Sequence, residues 1–253
     1  MPRAHLKIRP EPFYRREAFE TGLKRHGYTF ERDWFVPESR DDLMVLWNLK
    51  AGEEESLART FERRGGTVLV VENGYLQRVD KTHYAISTHG HNGSGWFPFD
   101  SGENRFARLG FPIYPRGHFG GKEILVIAQR GIGSSLMRSP PGWAETTARS
   151  CHGRVRPHPG VLRPRVPIAD DLAKAHTCMI WSSACGVLAL TMGMTVTYSA
   201  PRWICEDATG LPNDSQRQHA LNKMAHGQWA VSEIAAGTPF ARMKEQNWGP
   251  KRW

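Results

Sequence analysis

The sequence predicts an α/β protein with parallel sheets, and three features of the chain lead to that class. Short apolar, β-rich runs are each followed by a stretch with helical periodicity. The series breaks at a Pro- and Gly-rich segment, 112–121, and then restarts. Glycine (25) and proline (17) are frequent enough in 253 residues to supply the many short connections that such a series needs. Strands alternating with helices imply right-handed crossovers and parallel pairing. The expected architecture is two Rossmann-like domains facing a cleft. They span 1–116 and 117–225, and 226–253 is a helical tail free to pack back on the first domain.

In the first series, 41–48 reads as a buried strand. Residues 53–64 read as a helix, with Leu57, Ala58 and Phe61 on one face and Gly65-Gly66 as its stop. A strand at 67–71, a turn at 72–75 and a strand at 82–87 follow, the last running into a glycine-rich loop at 89–95. Residues 103–109 suit a short helix. The second series opens on the cleanest buried strand, 123–128, followed by Gln129-Arg130-Gly131-Ile132-Gly133-Ser134. Helix 143–150, strand 154–156, helix 170–175, strand 178–181, helix 182–192 and strand 195–198 come next. Residues 219–236 read as one amphipathic helix.

Hydrophobic residues make up 40% and charged residues 23%, which excludes a disordered chain. The 34 Lys and Arg against 25 Asp and Glu leave a net charge of +9. A surplus of that size suits a polyanionic partner such as nucleic acid, an anionic polysaccharide or a membrane surface, and it equally serves solubility. Its members are dispersed: Arg15, Arg16, Lys24 and Arg25; Arg63 and Arg64; Arg154, Arg156, Arg163 and Arg165; Lys251 and Arg252. None forms the block of like charges that marks a basic tail.

Cys151, Cys178, Cys185 and Cys205 include no C-x-x-C pair, so no zinc site is expected and the usage fits a reducing cytoplasm. The first ten residues lack an apolar signal core. No run approaches the roughly 18 apolar residues of a membrane span. A soluble cytoplasmic protein without stable membrane insertion is expected.

Ligands of open α/β sheets bind just beyond the carboxyl ends of strands, so residues at those points carry the functional argument. After the strand at 178–181, Ser182 and Ser183 open a helix, where free backbone N–H groups, a helix dipole and two hydroxyls suit an anion. Either hydroxyl also suits a simple N-cap. Arg154-Val155-Arg156-Pro157-His158-Pro159-Gly160 sets two guanidiniums and an imidazole after another strand, and a His in such a turn is also commonly structural. In Gln129-Arg130-Gly131-Ile132-Gly133, glycines permit close backbone approach and Arg130 supplies charge. The segment is neither a Walker loop nor a G-x-G-x-x-G fingerprint.

These runs, with Asp171-Leu172-Ala173-Lys174-Ala175-His176 and Gly193-Met194-Thr195-Val196, resemble the donor half of GT-B glycosyltransferases over residues 123–201. The resemblance implies that Gln129, Arg130, Gly131, Gly133, Arg156, His158, Ser182 and Ser183 hold a nucleotide-sugar donor, a UDP-sugar foremost. An acidic residue for the ribose would map to Glu206. The first half, with Leu46-Trp47-Asn48, Val71-Glu72-Asn73-Gly74-Tyr75 and His91-Asn92-Gly93, resembles small phage- and prophage-encoded glycosyltransferases, some of which modify hydroxymethylated bases in DNA. The location implied is then the cytoplasm of an infected host cell.

Sugar transfer needs a base for the acceptor proton and charge to stabilise the departing nucleotide diphosphate. Donor-side cations can supply that charge, and no D-x-D motif is present to hold a metal, so neither metal nor cofactor is expected. Glu72 and His91 lead as the catalytic base, with His89 and Asp100 behind them. On a continued strand His89 and His91 would share a face and could instead hold a metal with one further ligand. Asn73, Tyr75, His89, Asn92 and Trp96 are the acceptor-binding candidates; Tyr75, Trp96 and Phe97 suit either stacking or the core. Trp248 and Trp253 suit either wrapping the terminal segment onto the first domain or touching DNA.

Three functions fit these features: transfer of a sugar to hydroxymethylpyrimidines in double-stranded DNA, transfer to a surface polysaccharide or lipid-linked glycan, and a non-catalytic DNA-binding module.

Overall fold

The computed structural model describes residues 1–77, 82–160 and 166–250; Arg163, Arg165, Lys251, Arg252 and Trp253 lie outside the described residues. Contacts divide the chain into two units, one formed by Met1–Asp100 with the segment from His226 onward, the other by Ser101–Ala225.

In the first unit the chain runs β1 (Arg3–Lys7), α1 (Arg16–Lys24), β2 (Thr29–Glu31), β3 (Leu43–Trp47), α2 (Glu53–Arg63), β4 (Thr67–Asn73) and β5 (His83–Thr88). The second unit carries α3 (Arg105–Leu109), β6 (Glu123–Ile127), α4 (Trp143–Cys151), β7 (Arg154–Arg156), α5 (Ile168–Leu172), β8 (Ala175–Ile180), α6 (Cys185–Thr191), β9 (Thr195–Tyr198) and α7 (Asp214–His226). The chain then returns to the first unit with β10 (Gln228–Ala230), α8 (Val231–Ala236) and α9 (Thr238–Glu245).

Among the described residues the first sheet has the order β10-β5-β4-β3-β1-β2 and the second β7-β6-β8-β9. Strands β1 to β4 pair in parallel, as do all strands of the second sheet. Within each parallel set the first strand lies between the second and third, and the fourth lies beyond the third. The two sheets thus repeat one strand order, although the sequence shows no internal repeat.

β5 and β10 depart from the expected parallel pairing. β5 follows β4 through a short connection, too short for a crossover, and pairs with it antiparallel. Glu72 and Asn73, expected in a turn, are instead held in β4 by Ala85 and Tyr84. The expected helix at 219–236 is split at Gly227, whose carbonyl accepts from the Ile86 N–H as β10 joins β5. α6 begins at Cys185 rather than at 182.

Both faces of the first sheet are covered, which explains its unbroken apolar runs. Leu43, Val45, Leu69 and Val71 pack with Phe19, Leu23 and Trp229 on one face. Met44, Leu46, Val68 and Val70 pack with Ala58 and Phe61 on the other. In the second unit Val126 and Met179 pack against Ala144 and Ala148 of α4. Cys178 and Cys205 are fully buried, and burial pushes both thiols up, as suits small core residues. No helix among the described residues is long and apolar enough to cross a membrane.

Candidate functional site

In the second unit β6 and β8 are parallel neighbours whose last residues, Ile127 and Ile180, lie side by side. β6 leads away to β7 on one side and β8 to β9 on the other, so the crevice between their carboxyl ends is the topological switch point of the sheet. A cavity of about 810 Å³ opens there. Ala128, Gln129, Arg130 and Gly131 form one wall, and Trp181 and the first turn of α4 form others. This volume falls in the range of pockets that hold nucleotide-sized ligands.

Gly131 (φ 66°) and Gly133 (φ 146°) let the chain turn sharply out of β6, a path that side chains with a Cβ resist. The Gln129 Oε1 accepts the Ser182 N–H at 2.7 Å, tying the end of β6 to the end of β8. Met137 and Arg138 N–H groups both donate to the Ser134 carbonyl, and this turn carries Arg138 back to the cavity. Trp181 donates from Nε1 to the Met137 carbonyl at 3.0 Å and meets Trp143 edge-on at 5.9 Å. α4 starts at Gly142 (φ 70°) without a side-chain cap, and its first turn lines the cavity. Arg130 and Arg138 are exposed and make no ion pair among the described residues, while Glu145 is the carboxylate among the lining residues.

The structure distributes the sequence-based donor residues unevenly. Gln129, Arg130 and Gly131 line the cavity, with Gly133 in the adjoining turn. Arg156 is 5% exposed, is ion-paired to Asp171 and donates to the Val166 carbonyl at 2.6 Å. Its guanidinium anchors α5 to β7 rather than facing the cavity. His158 accepts the Gly160 N–H on Nδ1 at 2.9 Å, and burial, then the nearby Arg130 charge, hold its pKa below the usual imidazole value. Ser183 Oγ accepts the Cys185 N–H at 3.2 Å, a local bond just ahead of α6. Ser182 is buried. Glu206 sits in a 3-10 turn and accepts from Arg202 at 3.0 Å, outside the cavity lining.

The sequence reading missed Arg138, Trp143 and the α4 first turn. The signal present was Pro140-Pro141-Gly142, a breaker cluster directly before a helix, which marks a turn able to fold over a strand end.

In the first unit the two catalytic candidates lie at opposite ends of one sheet. Glu72 and Asn73 form the carboxyl end of β4, and Tyr75 follows it. The loop with His89, His91, Asn92 and Trp96 leaves β5, which runs the other way, so it sits where β4 begins: the His89 N–H donates to the Val68 carbonyl at 3.1 Å. Val68 and Glu72 are four residue steps apart along β4, about 13 Å at the usual rise. The set expected to form one acceptor site therefore splits in two.

The loop group is built for structure. His89 is buried at φ 66° and its Nδ1 lies 2.7 Å from Glu62 Oε1, a carboxylate that also accepts from Arg59. Asn92 is buried at φ 57° and its Oδ1 accepts the Gly93 N–H. Trp96 packs against the core, so closely that a Cβ at Gly249 would lie 2.4 Å from its ring. His91 keeps its Nδ1 buried without a hydrogen-bond partner among the described residues, and burial pulls its pKa down to about 4. Trp248 is buried, donates from Nε1 to Asp41 and accepts from Thr88, the packing alternative rather than an exposed contact. No group of three or more His, Cys, Asp or Glu among the described residues is placed to hold a metal ion.

At the switch point of the first sheet, between β1 and β3, Asn48 follows β3 at φ 61°. Its Oδ1 is buried and has no hydrogen-bond partner among the described residues.

Among the solved structures that share this fold are two sugar transferases. Both come from Thermosulfurimonas dismutans. The KpsC beta Kdo 2,7 transferase has a TM-score of 0.52 at 12% identity, over 95% of this chain and 99% of that one. The KpsC beta Kdo 2,4 transferase has a TM-score of 0.51 at 15% identity, over 90% of each chain. No protein-family model and no curated protein matches the sequence. The likeness to the KpsC transferases is one of fold, spread over nearly the whole chain.

Proposed function

We propose that the protein is a glycosyltransferase with two Rossmann-like units, whose second unit binds a nucleotide-sugar donor at the carboxyl ends of β6 and β8. The observation that carries this reading is the cavity of about 810 Å³ at that switch point, with Arg130, Arg138 and the uncapped α4 N-terminus around it. Two guanidiniums and a helix N-terminus stabilise phosphate oxygens and the charge that builds on a departing nucleotide. Those groups do the work that a metal would otherwise do, so on this reading transfer persists in a chelator. The likeness in fold to two sugar transferases supports the same class. A UDP-sugar is the first donor to test.

Glu72 is our choice as the base. It stands at the carboxyl end of a parallel strand, the end of such sheets where ligands bind, with Asn73 and Tyr75 beside it. The fold likeness to Kdo transferases favours a glycan acceptor. DNA bearing hydroxymethylpyrimidines is the second reading, and the net charge of +9 is what favours it.

The test is thermal unfolding of the intact chain across a panel of nucleotide sugars. A true donor at about a hundred times its dissociation constant adds roughly 2.7 kcal/mol. Arg130→Gln should weaken that donor about tenfold to a hundredfold, the worth of one charge-assisted contact. A panel in which no nucleotide sugar stabilises the protein would overturn the reading.

A further inference from the structure

A second cavity lies in the second unit at the other end of its sheet. It measures about 170 Å³ and opens where β8 and β9 begin, beneath the segment 116–121. Arg116, His118 and His176 line it, and no carboxylate does. Lys122 and Lys174 stand at its edge, joined by the Lys122 N–H to the Lys174 carbonyl at 2.9 Å. All five side chains are exposed, and none forms an ion pair among the described residues. Of the acidic residues near it in sequence, Glu123 and Asp171 are held by Arg154, and Asp170, four residues before Lys174, is exposed.

The walls are fixed before any ligand arrives. Gly193 (φ 75°) closes α6, and a Cβ there would meet the Pro115 carbonyl oxygen at 2.2 Å. The carbonyls at this helix end would repel an anion, and three of them are engaged: Thr191 by the Tyr114 N–H, Gly193 by the Gly117 N–H, and Leu190 by Arg217. His118 stacks on Tyr114 at 4.7 Å and meets Phe119 edge-on at 4.8 Å, which sets the imidazole in place. His176 engages Thr177 Oγ1 through Nδ1 at 2.7 Å, leaving Nε2 for a ligand.

We propose that this cavity is a second anion site that takes a phosphate group, carried either by the headgroup of an anionic phospholipid or by a soluble phosphate compound. A guanidinium and two imidazoles around a space far smaller than the donor cavity suit one tetrahedral oxyanion rather than a nucleotide. The two lysines at its edge raise the local concentration of either form. The inference is independent of the glycosyl-transfer reading.

The experiment uses the intact chain. Imidazole NMR signals of His118 and His176, assigned with His118→Gln and His176→Gln, are followed as inorganic phosphate replaces chloride at constant ionic strength. Saturable shifts of both signals are expected, with affinity about tenfold weaker in Arg116→Gln and unchanged in Arg130→Gln. Co-sedimentation with phosphatidylcholine vesicles, with and without phosphatidylglycerol, then separates the sources. Binding that requires phosphatidylglycerol and falls in Arg116→Gln assigns a lipid headgroup; phosphate shifts without vesicle binding assign a soluble phosphate. The proposal is overturned if neither arm responds, if Arg116→Gln leaves the response unchanged, or if Arg130→Gln abolishes it.

Discussion

Gln129 decides what an anion in the cavity between β6 and β8 can touch. By accepting the Ser182 N–H it removes a backbone donor at the approach to α6, and so leaves the guanidiniums of Arg130 and Arg138 as the main cationic groups there. A comparable question of access separates Glu72 from His91. Glu72→Gln should cut turnover by about 10²–10⁴-fold, the usual worth of a general base, with donor-induced stabilisation retained. His91→Gln should leave turnover within a few-fold and change acid stability instead. With a folded pKa of about 4 against an ordinary value near 6.5, the unfolded state takes up the proton first. His91 therefore costs nothing above pH ~6.5, and stability falls through the window from there to about 4, by up to ~3 kcal/mol. Urea unfolding across that window reads the effect. A steep loss of turnover in His91→Gln would return the base to the loop.

Position was legible in the sequence for residues that follow a clear strand: Arg130 and Gly131 line the cavity beyond β6, with Gly133 in the adjoining turn. Arg156 was not legible, because its partner Asp171 arrives through a crossover and only the fold brings them together.

At the scale of elements, the close approach of α1 and α8 depends on Gly22. A Cβ there would lie 2.0 Å from the Ile234 carbonyl oxygen and 2.8 Å from the Phe240 ring. Alanine gains about 1 kcal/mol in helix propensity. It also forces two backbones apart, and overpacking of that kind costs about 1–3 kcal/mol or more. Gly22→Ala should therefore lower the urea midpoint at unchanged slope, and a raised midpoint would show that the helices can separate freely. The same region shows which elements a sequence hides. β1 alternates Ala4 and Leu6 with Arg3, His5 and Lys7, and α1 carries charges at four of its nine positions, so neither stands out as an apolar run. β3, β4 and β6 are covered on both faces and were plain. β5 was read as a strand, but its antiparallel direction was not, because loop length sets it; β10 lay hidden in the expected helix, because its pairing is distant in sequence.

At the scale of the molecule, the repeated strand order is what makes a ligand site at a switch point expected, and the second sheet has a cavity there. Its walls were harder to foresee than its position, since Arg138 and Trp143 come from a long connection. The net charge of +9 bears on the acceptor. If a glycan is the acceptor, duplex DNA should bind weakly, equally with or without hydroxymethyl groups, and lose that binding as salt rises. Filter binding across a salt series checks this. Preference for hydroxymethylated DNA, with a mass gain on its nucleosides in the presence of a donor, would establish the DNA reading instead.

The return of the chain to the first unit has a consequence for the protein as it is made. β10 closes the edge of β5, yet the whole stretch 101–225 is translated between them. At about 5–20 residues per second the ribosome takes roughly 6 to 25 seconds to bridge that gap. The second unit can finish folding on the emerging chain while the β5 edge still waits for its neighbour. For that interval the nascent polypeptide presents an unpaired strand, the period in which pairing with another chain is easiest.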